Sequence, residues 1–292
     1  MQITYLGIDA GRSGVKIAYF DKQGEIQRKQ IPKFMDYIDW KSDQAVQKAL
    51  EKWMQHFHLT IDAGAVVIGA TGAAEFERLI SQEPLIVELL GDITVAALSC
   101  GVELEGMLMI AGTGAALVVF KGNQKTIISA YGPIVGDPWG GLALGRLAVR
   151  HLLDQWAFGG EISPYEKSLA EALHISNRLE YVDWLQNSQN HYRELGQLGK
   201  ITLNFAETGH AAAERIASEM IRAIVSVIHR TAQQFQLTAP LIGFQGSMIE
   251  ESGWLRDRIR DQLVDTGIQP TFRLPQEPLD VTALHQAKSL GL

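Results

Sequence analysis

The sequence holds one cysteine, Cys100, and that removes several classes of protein at once. A disulfide within the chain needs two thiols, and a cysteine-ligated zinc or iron–sulfur centre needs more, so a single chain can build neither. Long apolar runs are also missing. None approaches the roughly 20 residues that a membrane-spanning helix requires, so no membrane partner is expected. The N-terminal MQITYLGIDAG lacks a basic stretch followed by an apolar signal core, and a cytoplasmic protein is expected. Positive charge is scarce. With a net charge of −7 the chain has no cationic surplus to neutralise a nucleic-acid backbone, which argues against non-specific binding to DNA or RNA. Small phosphorylated ligands need only local donors and stay open. Several catalytic signatures are absent: the P-loop GxxxxGK(S/T), the metalloprotease HExxH and the hydrolase GxSxG. A dinucleotide fingerprint is absent as well. Gly7, Gly11 and Gly14 are spaced too widely, and a hairpin rather than a helix is predicted to follow them.

What is there centres on Met107–Phe120, MLMIAGTGAALVVF. Two apolar runs flank Ala111-Gly-Thr-Gly114, the pattern of buried strands joined by a tight turn. Gly112 and Gly114 let amide N–H groups converge on one point, Thr113 adds a hydroxyl, and such a concavity suits phosphate. A lone GTG is equally the mark of an ordinary hairpin turn. The chain, however, does the same thing earlier. Ile3–Ile8 reads as a strand, Asp9–Ser13 as a turn, Val15–Phe20 as a strand, Asp21–Gly24 as a hairpin turn and Glu25–Ile31 as a third strand. Strand, AGTG turn, strand Ala115–Phe120, polar turn Lys121–Asn123 and strand Thr126–Tyr131 repeat that order. The spacing predicts an internal structural duplication with two anion-binding turns. A chain of 292 residues, 46% hydrophobic, exceeds a typical single core and also suits two domains.

Between the two units the periodicity predicts a helix over Lys41–His56 with Ala45, Ala49, Leu50 and Trp53 on its apolar face, and a buried strand over Ala63–Gly69. A short helix over Ala73–Leu79 and a strand over Pro84–Leu89 follow. Asp92–Cys100 reads as a small apolar helix whose leading Asp92 suits an N-cap. After the second unit, Pro138–Gly141 introduces a helix over Leu142–Trp156, and Pro164–Leu173 and Leu179–Gln186 read as short helices. Ala211–Phe235 is a long helix with a core stripe from Ile216 to Phe235. Pro240–Phe244 is a buried strand, and Gln245-Gly246-Ser247 leads to a helix from about Ile249 to Val264. A last strand, Thr271–Leu274, and a terminal helix, Pro278–Leu290, complete the chain.

These residues carry a resemblance. Gly7-Ile-Asp9-Ala-Gly11 with Ser13 and Lys16 resembles the first phosphate loop of the sugar kinase/Hsp70/actin superfamily, and Ile110–Gly114 resembles the second. Gly132-Pro-Ile-Val-Gly136-Asp137 is similar to the segment that follows in N-acetylglucosamine kinases and the BadF/BadG/BcrA/BcrD ATPase family. Asp92 stands ahead of the second loop, where that family keeps its catalytic aspartate. The resemblance runs from the first strand to the last helix. It implies an α/β fold of two ribonuclease-H-like (actin-like ATPase) domains, each with a βββαβα core, closing over a cleft. The first would span 1–105, with the helix 278–292 packing back on it. The second would span 106–277, with a helical insertion at about 159–200.

The resemblance also implies an ATP-dependent kinase using Mg²⁺ and a small sugar-like acceptor, with a homodimer as the assembly to test. Phosphoryl transfer needs the triphosphate held, its charge neutralised and an acceptor hydroxyl aligned beside a base. Gly11, Arg12, Ser13 and Lys16 in the first loop and Gly112, Thr113 and Gly114 in the second would hold phosphates. Gly246 and Ser247 would meet adenosine. Asp9 would orient Mg²⁺, and Asp92 would take the acceptor's proton. Asp92, Thr113, Gly132 and Asp137 would contact the acceptor. Each has a plain structural reading as well: Asp9 and Asp137 as turn residues, Asp92 as a cap, Lys16 as an edge lysine, Gly246 as a helix start.

The sequence also departs from the family. Its usual acceptor-binding Asn after the third strand is missing from Pro32–Trp40, where Phe34, Tyr37 and Trp40 offer either sugar stacking or packing. Its acidic-glycine-serine run is replaced by Pro138-Trp139-Gly140-Gly141, and Thr282 stands where a glycine usually precedes Ala283. The acceptor expected is an amino sugar such as N-acetylglucosamine or glucosamine. The alternatives are a BadF-type ATPase without an iron–sulfur cluster, a non-catalytic nucleotide- or sugar-binding homologue and, more distantly, a type II pantothenate kinase.

Overall fold

The computed structural model describes residues 1–11, 14–32, 38–81, 83–122, 124–135 and 138–291. The chain divides into two compact units, Met1–Glu103 with Pro275–Leu292, and Leu104–Leu274.

In the first unit β1 (Tyr5–Gly11), β2 (Gly14–Phe20) and β3 (Ile26–Pro32) form an antiparallel meander. Helix α1 (Asp43–Phe57) begins where Ser42 Oγ accepts the Ala45 N–H, an N-cap bond, and ends at His58 in the left-handed region. Its buried face is Val46, Ala49, Leu50, Trp53, Met54 and Phe57, while Ala45 is only half-buried. Strand β4 (Gly64–Ala70) then pairs parallel with β1. Its alternate side chains serve two cores. Val66, Ile68 and Ala70 join α1 and the meander, and Ala65 and Val67 join the helices on the opposite face.

A helix is expected over Ala73–Leu79, but the chain turns at Gly72 (φ 87°) and then forms β5 (Arg78–Ser81), antiparallel to β6 (Leu85–Gly91). The Arg78 guanidinium decides this. It donates to Asp43 and to the carbonyls of Trp40, Lys41 and Phe76, anchoring an extended segment. Strand β6 runs parallel to β4 and leads into α2 (Asp92–Cys100). The strand order is β3-β2-β1-β4-β6-β5.

The second unit opens with β7 (Glu105–Ala111), β8 (Ala115–Lys121) and β9 (Gln124–Ile127), again an antiparallel meander. Strand β9 stops short of the Tyr131 expected for it, because Ala130 takes a φ of 93° and the chain leaves the sheet for α3 (Gly132–Val135). Helices α4 (Gly141–Phe158), α5 (Pro164–Ala172), α6 (Arg178–Asn187), α7 (His191–Glu207) and α8 (Ala211–Phe235) follow. A capping box at Ser163 and Glu166 starts α5. The sequence reading missed most of α7. Its seat is backbone on backbone: a Cβ at Gly145 would lie 1.9 Å from the Leu195 carbonyl oxygen, and one at Gly199 would lie 2.4 Å from that of Gly141. Strand β10 (Leu241–Gln245) then pairs parallel with β7.

The single helix expected after β10 is two, α9 (Ser247–Glu250) and α10 (Gly253–Asp265). Ser252 interrupts it and caps the second by accepting the Leu255 N–H. Strand β11 (Thr271–Arg273) pairs parallel with β10, giving the order β11-β10-β7-β8-β9. The strand directions of β3-β2-β1-β4-β6 are thus repeated by β9-β8-β7-β10-β11. Helix α11 (Leu279–Leu290) returns to the first unit, where Ala283 and Ala287 pack with Ala65, Val67 and Val95. It lies so close to β1 that a Cβ at Gly7 would sit 2.1 Å from the Asp280 carbonyl oxygen. Among the described residues no helix is long and apolar enough to cross a membrane.

Candidate active site

Parallel strands β1, β4 and β6 place their carboxyl ends on one edge of the first sheet, where α/β folds bind ligands. Asp9 lies near the end of β1 itself, not in a turn, directly across the ladder from Lys16 on β2. Their charged atoms are 3.5 Å apart, a cross-strand ion pair. The Asp9 side chain is 14% exposed while that of Lys16 is 45% exposed. Burial pushes the Asp9 carboxyl above its ordinary range. Lys16 opposes that shift, and the nearby negative charges of Asp280 and Asp92 add to it. Lys16, expected at a phosphate, is thus placed with a carboxylate. Gly11 pairs with Gly14 across the hairpin, and the loop between them, Arg12 and Ser13, lies outside the described residues.

Asp92 is the first residue of α2 rather than its cap, which is Gly91. Glu77 Oε1 accepts from the Gly91 N–H and the Thr94 hydroxyl, tying the start of α2 to the segment before β5. Thr71, just beyond β4, donates its hydroxyl to Asp92 Oδ2 at 2.8 Å, and the Ile93 N–H donates to Oδ1 at 2.9 Å. Behind this edge Asp280, 1% exposed, receives two bonds from the Arg28 guanidinium at 2.7 and 2.8 Å.

In the second unit the turn Gly112–Gly114 is held by backbone alone. Gly141 donates to the Gly112 carbonyl at 2.7 Å, and Leu142 donates to that of Thr113 at 3.0 Å. Two glycines permit the approach. A Cβ at Gly140 (φ 112°) would stand 2.6 Å from the Gly114 oxygen, and one at Gly246 (φ 110°) would stand 2.7 Å from the Gly112 nitrogen. The β10–α9 junction therefore lies against the turn. The amides of Thr113 and Gly114 have no hydrogen-bond partner among the described residues. Beside the turn is a cavity of about 160 Å³, lined by Gly112, Thr113 and Ser247 and by Arg193, Gln197 and Lys200 of α7.

The sequence reading missed the three α7 residues. Their spacing of three, four and seven is that of one helix face, a signal missed because the expected helical insertion at about 159–200 was not divided so as to give α7 as an element of its own. Thr71 was missed too, as a polar residue just past a buried strand. Gly132 (φ 83°) opens α3, and Asp137 lies outside the described residues. Of the Pro32–Trp40 aromatics only Trp40 is described, and it packs against the first unit's core.

No protein-family model and no curated protein matches the chain. Solved structures do. A candidate N-acetylglucosamine kinase from Chromobacterium violaceum is 18% identical, with 98% of this chain and 99% of that chain covered and a TM-score of 0.67. One from Porphyromonas gingivalis is 17% identical, with 97% and 98% covered and the same TM-score. A ROK family glucokinase from Streptomyces griseus, in complex with glucose and AMPPNP, is 17% identical over 99% of each chain with a TM-score of 0.54. The fold is that of the sugar kinases, the actin-like ATPase fold.

Proposed function

We propose that the chain is an ATP-dependent kinase of the BadF/BadG/BcrA/BcrD type, built on two ribonuclease-H-like domains, that phosphorylates a hydroxyl of a small amino sugar such as N-acetylglucosamine or glucosamine in the cytoplasm. The observation that carries the reading is Asp92. It is a carboxylate at a helix start on the edge of the first sheet, oriented by the Thr71 hydroxyl and the Ile93 N–H. In the reaction Asp92 accepts the proton of the acceptor hydroxyl, whose oxygen bonds to the terminal phosphorus of ATP as ADP departs. The uncommitted amides of Thr113 and Gly114 fit an anion, and Gly112 leaves room for it, so this turn holds the phosphates. Gly246 and Ser247 would line the adenosine, Gly11, Arg12 and Ser13 of the first phosphate loop would hold phosphate as well, and Gly132 and Asp137 would contact the acceptor.

The donor set around Asp9 fits Mg²⁺. The carboxylate is buried with the negative charges of Asp280 and Asp92 nearby, and Lys16 and Arg28 offset only part of that charge. When bound, the ion neutralises phosphate charge. The alternative is a BadF-type ATPase without an iron–sulfur cluster, since Cys100 is fully buried within α2 and so poorly placed to bind a cluster between subunits. The deciding measurement is ADP release from ATP–Mg²⁺ with a panel of amino sugars, sugars and pantothenate. Release that depends on an amino sugar is expected. Release independent of any acceptor would make the protein an ATPase, and nucleotide binding without turnover on any acceptor would sink the kinase reading.

A further inference from the structure

We infer that the second unit carries another small-molecule site, apart from the residues assigned above, that takes a sugar phosphate and is coupled to the Gly112–Gly114 turn. One face of the C-terminal half of α8, presenting Ser226, Arg230, Thr231 and Gln234, looks across a cavity of about 340 Å³ onto Ser129, Tyr131, Pro138 and Trp139. That volume lies at the low end for small-molecule sites, about 300–1,000 Å³, and so suits a metabolite better than a nucleotide or a polymer. Among the described residues Arg230 is the only charged one in this lining and has no hydrogen bond or ion pair, in a chain of net charge −7. Its guanidinium offers a planar fork of donors to an oxyanion. The hydroxyls of Ser226 and Thr231 and the amide of Gln234 suit a hydroxyl-rich body. Tyr131, Pro138 and Trp139 supply an apolar wall for the C–H face of a sugar ring.

Two further observations bear on the site. Ala130, beside Tyr131, holds a φ of 93°, a strained value for a residue with a side chain, and the Tyr131 hydroxyl closes the local turn on the Ile128 carbonyl at 2.9 Å. The wall also runs directly into the phosphate turn. Trp139 Nε1–H donates to the Ile110 carbonyl at 3.2 Å, at the end of β7, and the next two residues are the glycines pressed onto Gly112 and Gly114. A ligand against Pro138 and Trp139 bears on the backbone that shapes the turn, and by linkage the turn's occupant alters the ligand's affinity. A sugar phosphate is the product class of the proposed reaction, so the coupling is product feedback. The coupling rests on the kinase reading; the pocket does not.

The test is hydrogen–deuterium exchange of the full chain with glucosamine 6-phosphate, read in peptides covering 128–131 and 223–234, alongside ATP affinity. Protection in both peptides is expected, lost in Arg230→Gln and in Ser226→Trp, which fills the cavity from an exposed position of α8. Glucosamine and inorganic phosphate at the same concentration should protect less. ATP affinity should change at least about fivefold on adding glucosamine 6-phosphate to the wild type and less than about twofold in Arg230→Gln, whose ATP affinity without the sugar phosphate matches wild type. Protection that survives both substitutions overturns the site. Equal protection by inorganic phosphate overturns the sugar-phosphate assignment. Protection with unchanged ATP affinity overturns the coupling. A chain that binds no ATP overturns the kinase reading while the exchange experiment still reads the pocket, so the two failures are separable.

Discussion

Five strands of the first unit, β3-β2-β1-β4-β6, are matched in order and direction by β9-β8-β7-β10-β11 in the second, yet the edges where those strands end are opposite in chemistry. In the first unit the edge is carboxylate. Asp9 and Asp92 lie there, Asp280 stands behind, and Lys16 and Arg28 offset part of the charge. In the second unit the turn carries no charged side chain, has uncommitted amides, and borders a cavity also lined by Arg193 and Lys200. One edge suits a cation and a proton acceptor and the other suits an anion. The shared scaffold fixes where the strands end, and the few residues just past those ends set the sign of the charge welcomed there.

The sharpest way to break this comparison is Asp92→Asn, which keeps the shape of the first edge and removes its base. Acceptor-dependent ADP release should fall about 10²–10⁴-fold, while ATP affinity stays within a few-fold in a direct titration. Turnover that survives would remove Asp92 from its role. The second unit is challenged by a glycine pair. Gly140→Ala drives a Cβ into the turn's backbone at a positive φ and should lower the urea-unfolding free energy by more than about 2 kcal/mol. Gly112→Ala has open space, so stability should stay within about 0.5 kcal/mol while nucleotide affinity drops. If both proved equally destabilising, the distinction between the packed and the ligand-facing glycine would fail.

Smaller effects probe the charge at the first edge. Arg28→Met strands the buried Asp280 carboxylate and should cost about 1–3 kcal/mol, measured by the same unfolding curve, with Asp280→Asn recovering part of it in the double variant. The mildest is Asp9→Asn, read as the difference in Tm from wild type across pH without divalent cation. Folding raises the Asp9 pKa above its ordinary 3.8, so its favourable contribution is complete only below that pH and is lost as pH rises through the folded value. The Asn variant should therefore be slightly more stable near pH 7, with the gain vanishing below about pH 3.8. A gain that grows as pH falls would contradict the burial argument.

Much of the local structure was legible. Alternating and continuous apolar runs gave away the strands around Ala111–Gly114 and those flanking Gly11 and Gly14, because side-chain period and turn chemistry are local properties. The failures were tertiary. Ala73–Leu79 has a helical pattern, but the reach of Arg78 to Asp43 and to distant carbonyls pulls it into an extended edge. The start of α7 fell inside the expected helical insertion but was not resolved as a separate helix, its glycines weakening the helical signal. One of those glycines, Gly199, lets it seat directly on α4. Asp92 resembled a cap, and only the fold shows that Gly91 is the N-cap and that the hydroxyl of Thr71, from the end of another strand, donates to the Asp92 carboxylate.

By itself the sequence determined that no disulfide or thiolate cluster forms within this chain, that a strand–turn–strand unit occurs twice, and that glycines and aspartates stand at the turns. These follow from composition and short-range spacing. Tertiary structure alone decided which glycine is packed and which is open, that Thr71 holds Asp92, that Lys16 faces Asp9, and that three polar residues of α7 border the Gly112–Gly114 turn. Each of these depends on groups far apart in the chain meeting within hydrogen-bond or van der Waals distance. Local periodicity carries no information about such meetings.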